Sequence, residues 1–349
     1  MPIALLDVSD AHVLPLRGWG RYVAELARAL GEVDGGDLVV REAARDASRS
    51  GPELAWEQWG LPRRARRLGA AVMHAPNCFL ALRRPCAGVV TVHDLAFETH
   101  RGDFAAATGL KYRTLVPRAV RSAERVICVS QFTARDVQER YGVPAERVRV
   151  VPLAPALGAG SVSGERATAS SAAPAAPYLL GVGDLRGKKD FITLVRAWLA
   201  LRAEGRDLRL VLAGADLGQG PVLRALAGAE PLELRGYVGD AELDALLRGA
   251  SAMVHPSRHE GFGLVLLEAM ARDTPVVAAD ATALPETGGD AALYFAPGDP
   301  AALADVLRGL LDDPALRRDL TERGRVRAAA HTWQRTALET LAVYREALQ

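Results

Sequence analysis

Two glutamates eight positions apart, Glu260 and Glu268, bracket a glycine-rich turn, Gly261-Phe262-Gly263. Glycines let a backbone run close to a ligand. The apolar spacing from Leu264 to Arg272 predicts a helix that begins where the turn ends. The free N–H groups at such a helix start suit a phosphate. A rise of about 1.5 Å per residue puts Glu268 roughly 6–7 Å past that start, about the reach from a diphosphate to the ribose of a nucleotide. The spacing therefore predicts phosphates at Gly263 and Leu264, ribose hydroxyls at Glu268, and Glu260 facing the group on the far phosphate. A second cluster is Lys188-Lys189, at the junction of a glycine-rich loop and a helix. Lysine occurs only at Lys111, Lys188 and Lys189, and every other basic position of the 43 is arginine. Against that background the adjacent pair reads as an anion contact. Lys111, in a helix of the first half, reads as remote from it. In the first half, His93-Asp94 close the most apolar strand, and Gly18 and Gly20 sit before a helix, where backbone N–H groups can meet an anion.

These side chains need a scaffold, and the hydrophobic pattern supplies one. Short β-branched runs at 3–8, 37–40, 71–75, 88–92, 125–130 and 147–153 predict six strands, several apolar throughout as strands buried on both faces must be. Helical patterns fall at 21–30, 109–122 and 132–141, the first with Tyr22, Leu26, Ala29 and Leu30 on one face. The alternation resumes with strands at 178–183, 208–214, 232–238, 252–257, 275–280 and 292–296. Helices are expected near 190–203, 240–249, 263–272 and 301–311, and a last amphipathic stretch at 331–348 carries Trp333, Leu338, Leu341 and Tyr344. Strand–helix alternation predicts an α/β protein with parallel sheets. Residues 158–177, small, polar and Pro-bearing, read as a linker or surface loop. The expected division is 1–157 and 178–330, two doubly wound domains facing an interdomain cleft, with 331–349 as a C-terminal helix. Ligands in such sheets bind beyond the carboxyl ends of the strands. Ser130 and Asp240 read as helix N-caps.

The segment EGFGLVLLEAM (260–270) closely resembles the donor-binding signature of retaining GT-B glycosyltransferases of family GT4, and TPVVAAD and ALPETGGDAALYF continue the likeness. The resemblance runs from Arg17-Gly18-Trp19-Gly20-Arg21-Tyr22 to the last helix. It implies two Rossmann-like domains, with the C-terminal helix crossing back onto the first. It implies that Glu260 contacts the donor sugar and Glu268 the ribose. Lys188 and Lys189 would contact the diphosphate, Gly18 and Gly20 would face it across the cleft, and His93 with Asp94 would lie near the donor sugar. Backbone groups at Tyr237 and Val238 would hold the base, and Gly261, Phe262, Gly263 and Leu264 would line the phosphates. Five positions depart from the pattern: Val265 for a frequent Pro, Arg272-Asp273 for a small residue and Gly, Asp184 for Thr or Arg, and Asp190 for Asn. Asp tolerates a left-handed helix end, and Asp184 is harmless if it turns away or pairs with Arg186.

Charge and composition bound the rest. With 43 Lys+Arg against 42 Asp+Glu the net charge is +1, which argues against a dedicated nucleic-acid binder. No apolar run reaches the roughly 18 residues that span a bilayer, and MPIALLDVSD lacks a basic secretory n-region. The expected setting is cytoplasmic, with peripheral contact at the inner membrane face left open. Three cysteines, Cys78, Cys86 and Cys128, have no metal spacing with His74 or one another and read as reduced and structural. No metal and no cofactor is expected, and there is no Asp-x-Asp motif in a suitable loop. The resemblance implies a retaining transfer from a nucleotide sugar, GDP-mannose by preference over a UDP-sugar, to a glycan, lipid-linked or small-molecule hydroxyl. A GT-B epimerase, a phosphorylase-like enzyme and a non-catalytic nucleotide-sugar binder stand as alternatives. A dinucleotide-dependent dehydrogenase is excluded by the missing G-x-G-x-x-G with its acidic partner. Trp56, Trp59 and Arg63, Arg64, Arg66 and Arg67 admit two readings, a membrane-facing patch or core aromatics beside a solvated basic helix, of which the second is the commoner.

Overall fold

The computed structural model describes residues 1–14, 16, 18–46, 52–156 and 177–349. Arg17 and the expected linker, all but Pro177, lie outside the described residues. The chain divides into two compact units, one of Met1–Ala156 with His331–Gln349 and one of Leu157–Ala330.

The first unit is built on a six-stranded parallel sheet: β1 (Ile3–Asp7), β2 (Val39–Ala43), β3 (Val72–Ala75), β4 (Ala87–Val92), β5 (Arg125–Cys128) and β6 (Val148–Val150). Their order is β2-β1-β3-β4-β5-β6. Leu5, Leu6, Met73, Val89, Val90 and Ile127 are fully buried, as helices on both faces of a parallel sheet require. The helix Gly18–Glu32 buries Tyr22, Val23, Leu26, Ala29 and Leu30, one stripe at three- and four-residue spacing. It starts earlier than the pattern predicts, so Gly18 and Gly20 belong to its first turn and not to a loop before it. A Cβ on Gly20 would meet the Asp10 carbonyl oxygen at 2.8 Å, so that glycine serves close packing within the unit. The closing helix, Trp333–Ala347, packs Trp333, Ala337, Leu341 and Tyr344 into this unit. Leu338, expected on the same face, is 52% exposed.

The second unit repeats the plan with β7 (Tyr178–Val182), β8 (Arg209–Ala213), β9 (Leu232–Gly236), β10 (Ala252–His255), β11 (Val276–Ala279) and β12 (Ala292–Phe295), ordered β12-β11-β10-β7-β8-β9 and all parallel. Counted from β7, that order reverses direction between the first and fourth strands. Such a switch point is where a ligand crevice forms, because the loops leaving the two strands diverge to opposite faces.

Among the described residues, Ala96–Thr99, Gly220–Ala227, Leu284–Gly288 and Pro314–Ala329 fold as α-helix without being anticipated, and the helical run from Glu53 to Leu68 reaches well beyond the basic segment read as a helix. Asp240 is not a cap. Gly239 holds that position, with no side-chain bond, and Asp240 is the first helical residue. Ser130 does cap its helix, its Oγ accepting from the Thr133 N–H at 3.0 Å.

Candidate functional site

The loops that leave β7 and β10 bracket the switch point of the second sheet, and the charged residues singled out by the sequence meet there. Gly183, with φ +142°, turns the chain out of β7. A Cβ on it would press on the Lys189 side chain at 3.1 Å, so the lysine stem lies over the glycine. A 3-10 turn, Gly187–Lys189, follows and ends at Asp190, in the left-handed region with φ +49°. Asn and Asp are the non-glycine residues that best accept this conformation, which accounts for Asp190 at a position where Asn is frequent. Its carboxylate accepts from Thr193 Oγ1 at 2.9 Å and from Arg258 Nε at 2.7 Å. Asp184 stands 3.7 Å from Arg186.

Glu260 is the centre of the cluster. Its Oε1 accepts from Lys189 Nζ at 2.6 Å and from His255 Nε2 at 3.1 Å. Burial alone would raise the Glu260 pKa, but the Lys189 and Lys188 ammonium groups and the His255 bond overcome it and hold the carboxyl well below the usual range. Glu260 is therefore ionised at every working pH. His255, 1% exposed, is pushed down by burial, against the pull of Glu260, so it is neutral and carries its proton on Nε2. Backbone bonds fix the two loops to each other: the Arg258 N–H donates to the Lys188 carbonyl at 2.8 Å, and Ser257 Oγ donates to the same oxygen at 3.1 Å. The Glu260 N–H donates to Thr282 Oγ1 at 3.0 Å. Lys188 is 8% exposed, not the solvated side chain that adjacent lysines usually are.

Past Glu260, Gly263 adopts φ +90°, with Leu284 where a Cβ would stand, 2.7 Å away. The helix Leu264–Met270 starts there, and Glu268 lies on it, 5% exposed. Asp273, in place of the frequent glycine, takes φ +63°. Tyr237 (45% exposed) and Val238 (7%) follow β9. Lys188, Lys189 and Glu260 are thus gathered with His255, while Glu268, Tyr237 and Val238 lie on neighbouring elements of the same unit. His255, Arg258 and Thr282 were not singled out by sequence. The available signal was a histidine ending an apolar strand directly before Pro256. A groove of about 1020 Å³ in this unit opens at the opposite end of the sheet, beside Pro177, Leu208, Ser251 and Pro275, each just before a strand. It is separate from the glutamate–lysine cluster by the length of the strands.

In the first unit, His93 follows β4 with 7% exposure and donates from Nε2 to the Pro76 carbonyl at 2.8 Å. Burial lowers its pKa to about 4, so the ring is neutral. Trp19 stacks on it at 5.6 Å and Tyr22 meets it edge-on at 4.7 Å. Asp94 Oδ1 accepts from the Ala96 N–H at 2.9 Å. Behind His93 runs a buried polar chain: Tyr22 Oη to Thr91 Oγ1 at 3.1 Å, Thr91 Oγ1 to His74 Nε2 at 2.8 Å, His74 Nδ1 to Tyr344 Oη at 2.8 Å. Lys111 is no bystander: it stands 3.4 Å from the buried Glu57 and 3.5 Å from Glu53, over the Phe79 ring. Among the described residues no three His, Cys, Asp or Glu side chains are placed to hold a metal ion.

Two doubly wound parallel units of this kind define a fold of the GT-B type. Residues 16–154 match the family model Glycosyltransferase Family 4, and residues 176–313 match Glycosyl transferases group 1. The chain belongs to this glycosyltransferase family. It is 29% identical to the O-antigen chain mannosyltransferase B of Escherichia coli over 95% of this chain and 96% of that one. It is 34% identical to the MMP alpha-(1->4)-mannosyltransferase of Mycolicibacterium hassiacum over 66% of this chain and 56% of that protein. To the D-inositol 3-phosphate glycosyltransferase of Kineococcus radiotolerans it is also 34% identical, over 66% and 59%. The match thus spans little more than half the length of these last two relatives. Among solved structures, sucrose-phosphate synthase from Thermosynechococcus elongatus superposes with a TM-score of 0.73 (22% identity, 99% and 98% covered). The Anabaena protein HepE, in complex with UDP and glucose, gives 0.72 (20% identity, 98% and 99% covered). These likenesses carry the fold.

Proposed function

We propose that the protein is a retaining, metal-independent glycosyltransferase that moves a sugar, mannose by preference, from a nucleoside-diphosphate sugar to a hydroxyl of a glycan, lipid-linked or small-molecule acceptor. The observation that supports the reading most is the Lys189–Glu260 pair, 2.6 Å apart, where two loops converge at the switch point of the second sheet. The bond that breaks joins the anomeric carbon to a diphosphate oxygen, and negative charge grows on that oxygen. Lys189, Lys188 and the N–H groups from Gly263 onward are the donors that stabilise it. As the diphosphate takes up Lys189, Glu260 is freed to accept hydrogen bonds from donor-sugar hydroxyls, held by His255. Glu268 binds the ribose, and Tyr237 and Val238 the base. The leaving phosphate oxygen accepts the acceptor proton, and the new bond forms on the face the diphosphate leaves, which retains configuration. His93, neutral and fixed by Trp19, Tyr22 and Pro76, offers an uncharged ring for contact with a sugar. Nucleic acid is no part of this reading, and a lipid-linked acceptor fits weak peripheral contact with a membrane from the cytoplasmic side.

The test is a panel of UDP- and GDP-sugars, with and without EDTA, followed by release of nucleoside diphosphate and by NMR of the product anomer. The reading expects turnover of one donor, undiminished by EDTA, with the donor's anomeric configuration kept. An inverted product, a strict Mg²⁺ or Mn²⁺ requirement, or epimerised donor without transfer would overturn it.

A further inference from the structure

A carboxylate 2.6 Å from the lysine that is to hold an anion is a rival for that lysine. Which of the two side chains can give way is written in their attachments. The Glu260 N–H donates to Thr282 Oγ1 at 3.0 Å, and its carbonyl accepts from the Ala283 N–H at 3.4 Å. Thr282 is held at φ +54°, a left-handed backbone that a β-branched residue rarely takes, so the packing around it imposes this support. Glu260 Oε1 also accepts from His255 Nε2 at 3.1 Å, and His255 is 1% exposed at the end of β10. The carboxylate is thus anchored without Lys189.

Lys189 is attached differently. Its backbone closes a turn, the N–H donating to the Arg186 carbonyl at 3.1 Å. Its side chain is a flexible four-carbon stem that runs over Gly183, where a Cβ would meet Cε at 3.1 Å and Nζ at 3.3 Å. Among the described residues its Nζ makes one hydrogen bond, to Glu260. Lys189 is therefore the member that swings and Glu260 the member that stays. In one turnover the pair meets two different ligands. The donor's diphosphate is a diester, with sugar hydroxyls beside it. Transfer breaks the bond from the anomeric carbon to the diphosphate oxygen and forms one to the acceptor oxygen. The acceptor proton passes to the leaving oxygen and then to water, because the second ionisation of a phosphate monoester lies near about pH 6. The product thus carries more negative charge than the donor and has lost every sugar hydroxyl.

We propose that Glu260 is the residue by which the site distinguishes donor from product, as a fixed internal rival for Lys189 that drives out the spent nucleoside diphosphate. The proposal rests on the donor-site reading above and extends it to the step after transfer. With donor bound, sugar hydroxyls donate to Glu260 and replace the lysine it has given up. Once the sugar has gone, Glu260 faces the added phosphate charge with no hydroxyl to shield it. Like charges this close, in a site with little water, repel strongly. Lys189 swings back to Glu260, and the diphosphate loses its cation and leaves. A merely structural ion pair makes the opposite prediction: without Glu260 the lysine loses its anchor, and the diphosphate binds no better.

The experiment is calorimetry on the full chain without acceptor, with GDP, UDP, GDP-mannose and UDP-glucose as probes, on the wild type, Glu260→Gln and Lys189→Ala. Gln keeps the size and an oxygen for the His255 bond and removes only the charge. The wild type should bind the sugar conjugate at least about fivefold more tightly than its diphosphate. Glu260→Gln should bind the diphosphate roughly tenfold more tightly than the wild type does and the conjugate roughly tenfold more weakly, which inverts the preference. Lys189→Ala should weaken the diphosphate by roughly tenfold. Circular dichroism checks the fold, and if Glu260→Gln does not fold, the wild-type comparison decides alone. A wild type that prefers the bare diphosphate, or a folded Glu260→Gln that binds it no more tightly, would overturn the proposal and leave the donor site standing. If none of the probes binds the wild type, or Lys189→Ala binds the diphosphate unchanged, the donor-site reading falls and takes this proposal with it.

Discussion

In the second unit the strand ends carry charge: Glu260 is ionised between Lys189, Lys188 and a neutral His255. In the first unit they carry a neutral ring, His93, held by two aromatics and a carbonyl. The sheets share a plan, yet burial is used in opposite ways. Charges survive in one because two cations face one carboxylate, whereas the histidines of the other lose their protons to desolvation, which at His93 outweighs the pull of Asp94. The comparison teaches which unit keeps buried charge at its strand ends and which keeps an uncharged ring there. It also separates the construction of the two sites. The charged one draws on two loops from adjacent strands, braced by Thr282 from the loop after β11. The neutral one needs Trp19, Tyr22, Pro76 and Thr91, with His74 and Tyr344 behind them.

The largest effect should come from breaking the charged side. Lys189→Ala should lower kcat by about 10²–10³ with the fold intact, because the lost cation acts on charge that grows in the transition state. A change in KM alone, in steady-state kinetics, would return Lys189 to a ground-state contact.

The neutral side should show itself in acid. His74, lowered to about 3, and His93, lowered to about 4, are both driven down by burial. Their folded values lie below the unfolded one, so the unfolded chain takes up protons first, and stability falls as pH drops below about 6.5. Glu57 acts with the opposite sign, since burial raises it to about 7, which favours folding as pH falls from about 7 to about 4.5. The two histidines together outweigh Glu57, so the net loss should be steepest just below about pH 4.5 and reach about 5 kcal/mol by about pH 3. Denaturant melts against pH check it, and Glu57→Gln should move the onset up toward pH 6.5.

Lys111→Ala, though far from the donor motif, should cost about 1–2 kcal/mol in chemical denaturation, because it strips the counter-charge from Glu57. The cost is limited because Glu57 can protonate. The smallest effect belongs to Asp190→Asn: Arg258 is 52% exposed and Asn accepts the same left-handed backbone, so the change should stay within about 0.5 kcal/mol.

Much of this was legible in the residues. Ten of the twelve strands fall within the expected runs, because a parallel strand buried on both faces tends to write itself as a stretch of Val, Leu and Ile; β4 begins one residue early, and the partly exposed β2 runs on through Arg41 and Glu42 to Ala43, past the run at 37–40. The donor loops were readable because glycine, lysine and glutamate lie within a few positions of one another. The helix Pro314–Ala329 was missed because only Leu320, Gly324 and Ala328 are buried on it. Its start was nonetheless written in Asp313-Pro314, where the Asp313 carboxylate caps the N–H groups of Ala315 and Leu316. Only the basic part of the run at 53–68 was read as helix, because a π-helical insertion at Trp56–Gly60 breaks the 3.6-residue rhythm before it. The contact of Gly20 with the Asp10 carbonyl is known only once the chain is folded. The His74–Tyr344 bond joins residues at opposite ends of the sequence, and no local pattern announces it.

The account stands on the second unit as the seat of a nucleoside diphosphate. Calorimetry with GDP and UDP on the wild-type chain and on Glu268→Ala tests this most directly. One diphosphate should bind the wild type, and the variant should bind it about 1–3 kcal/mol more weakly, the worth of a hydrogen bond to a charged acceptor. If neither nucleotide binds the wild type, or if the variant binds as tightly, Glu268 does not hold a ribose and the donor site lies elsewhere.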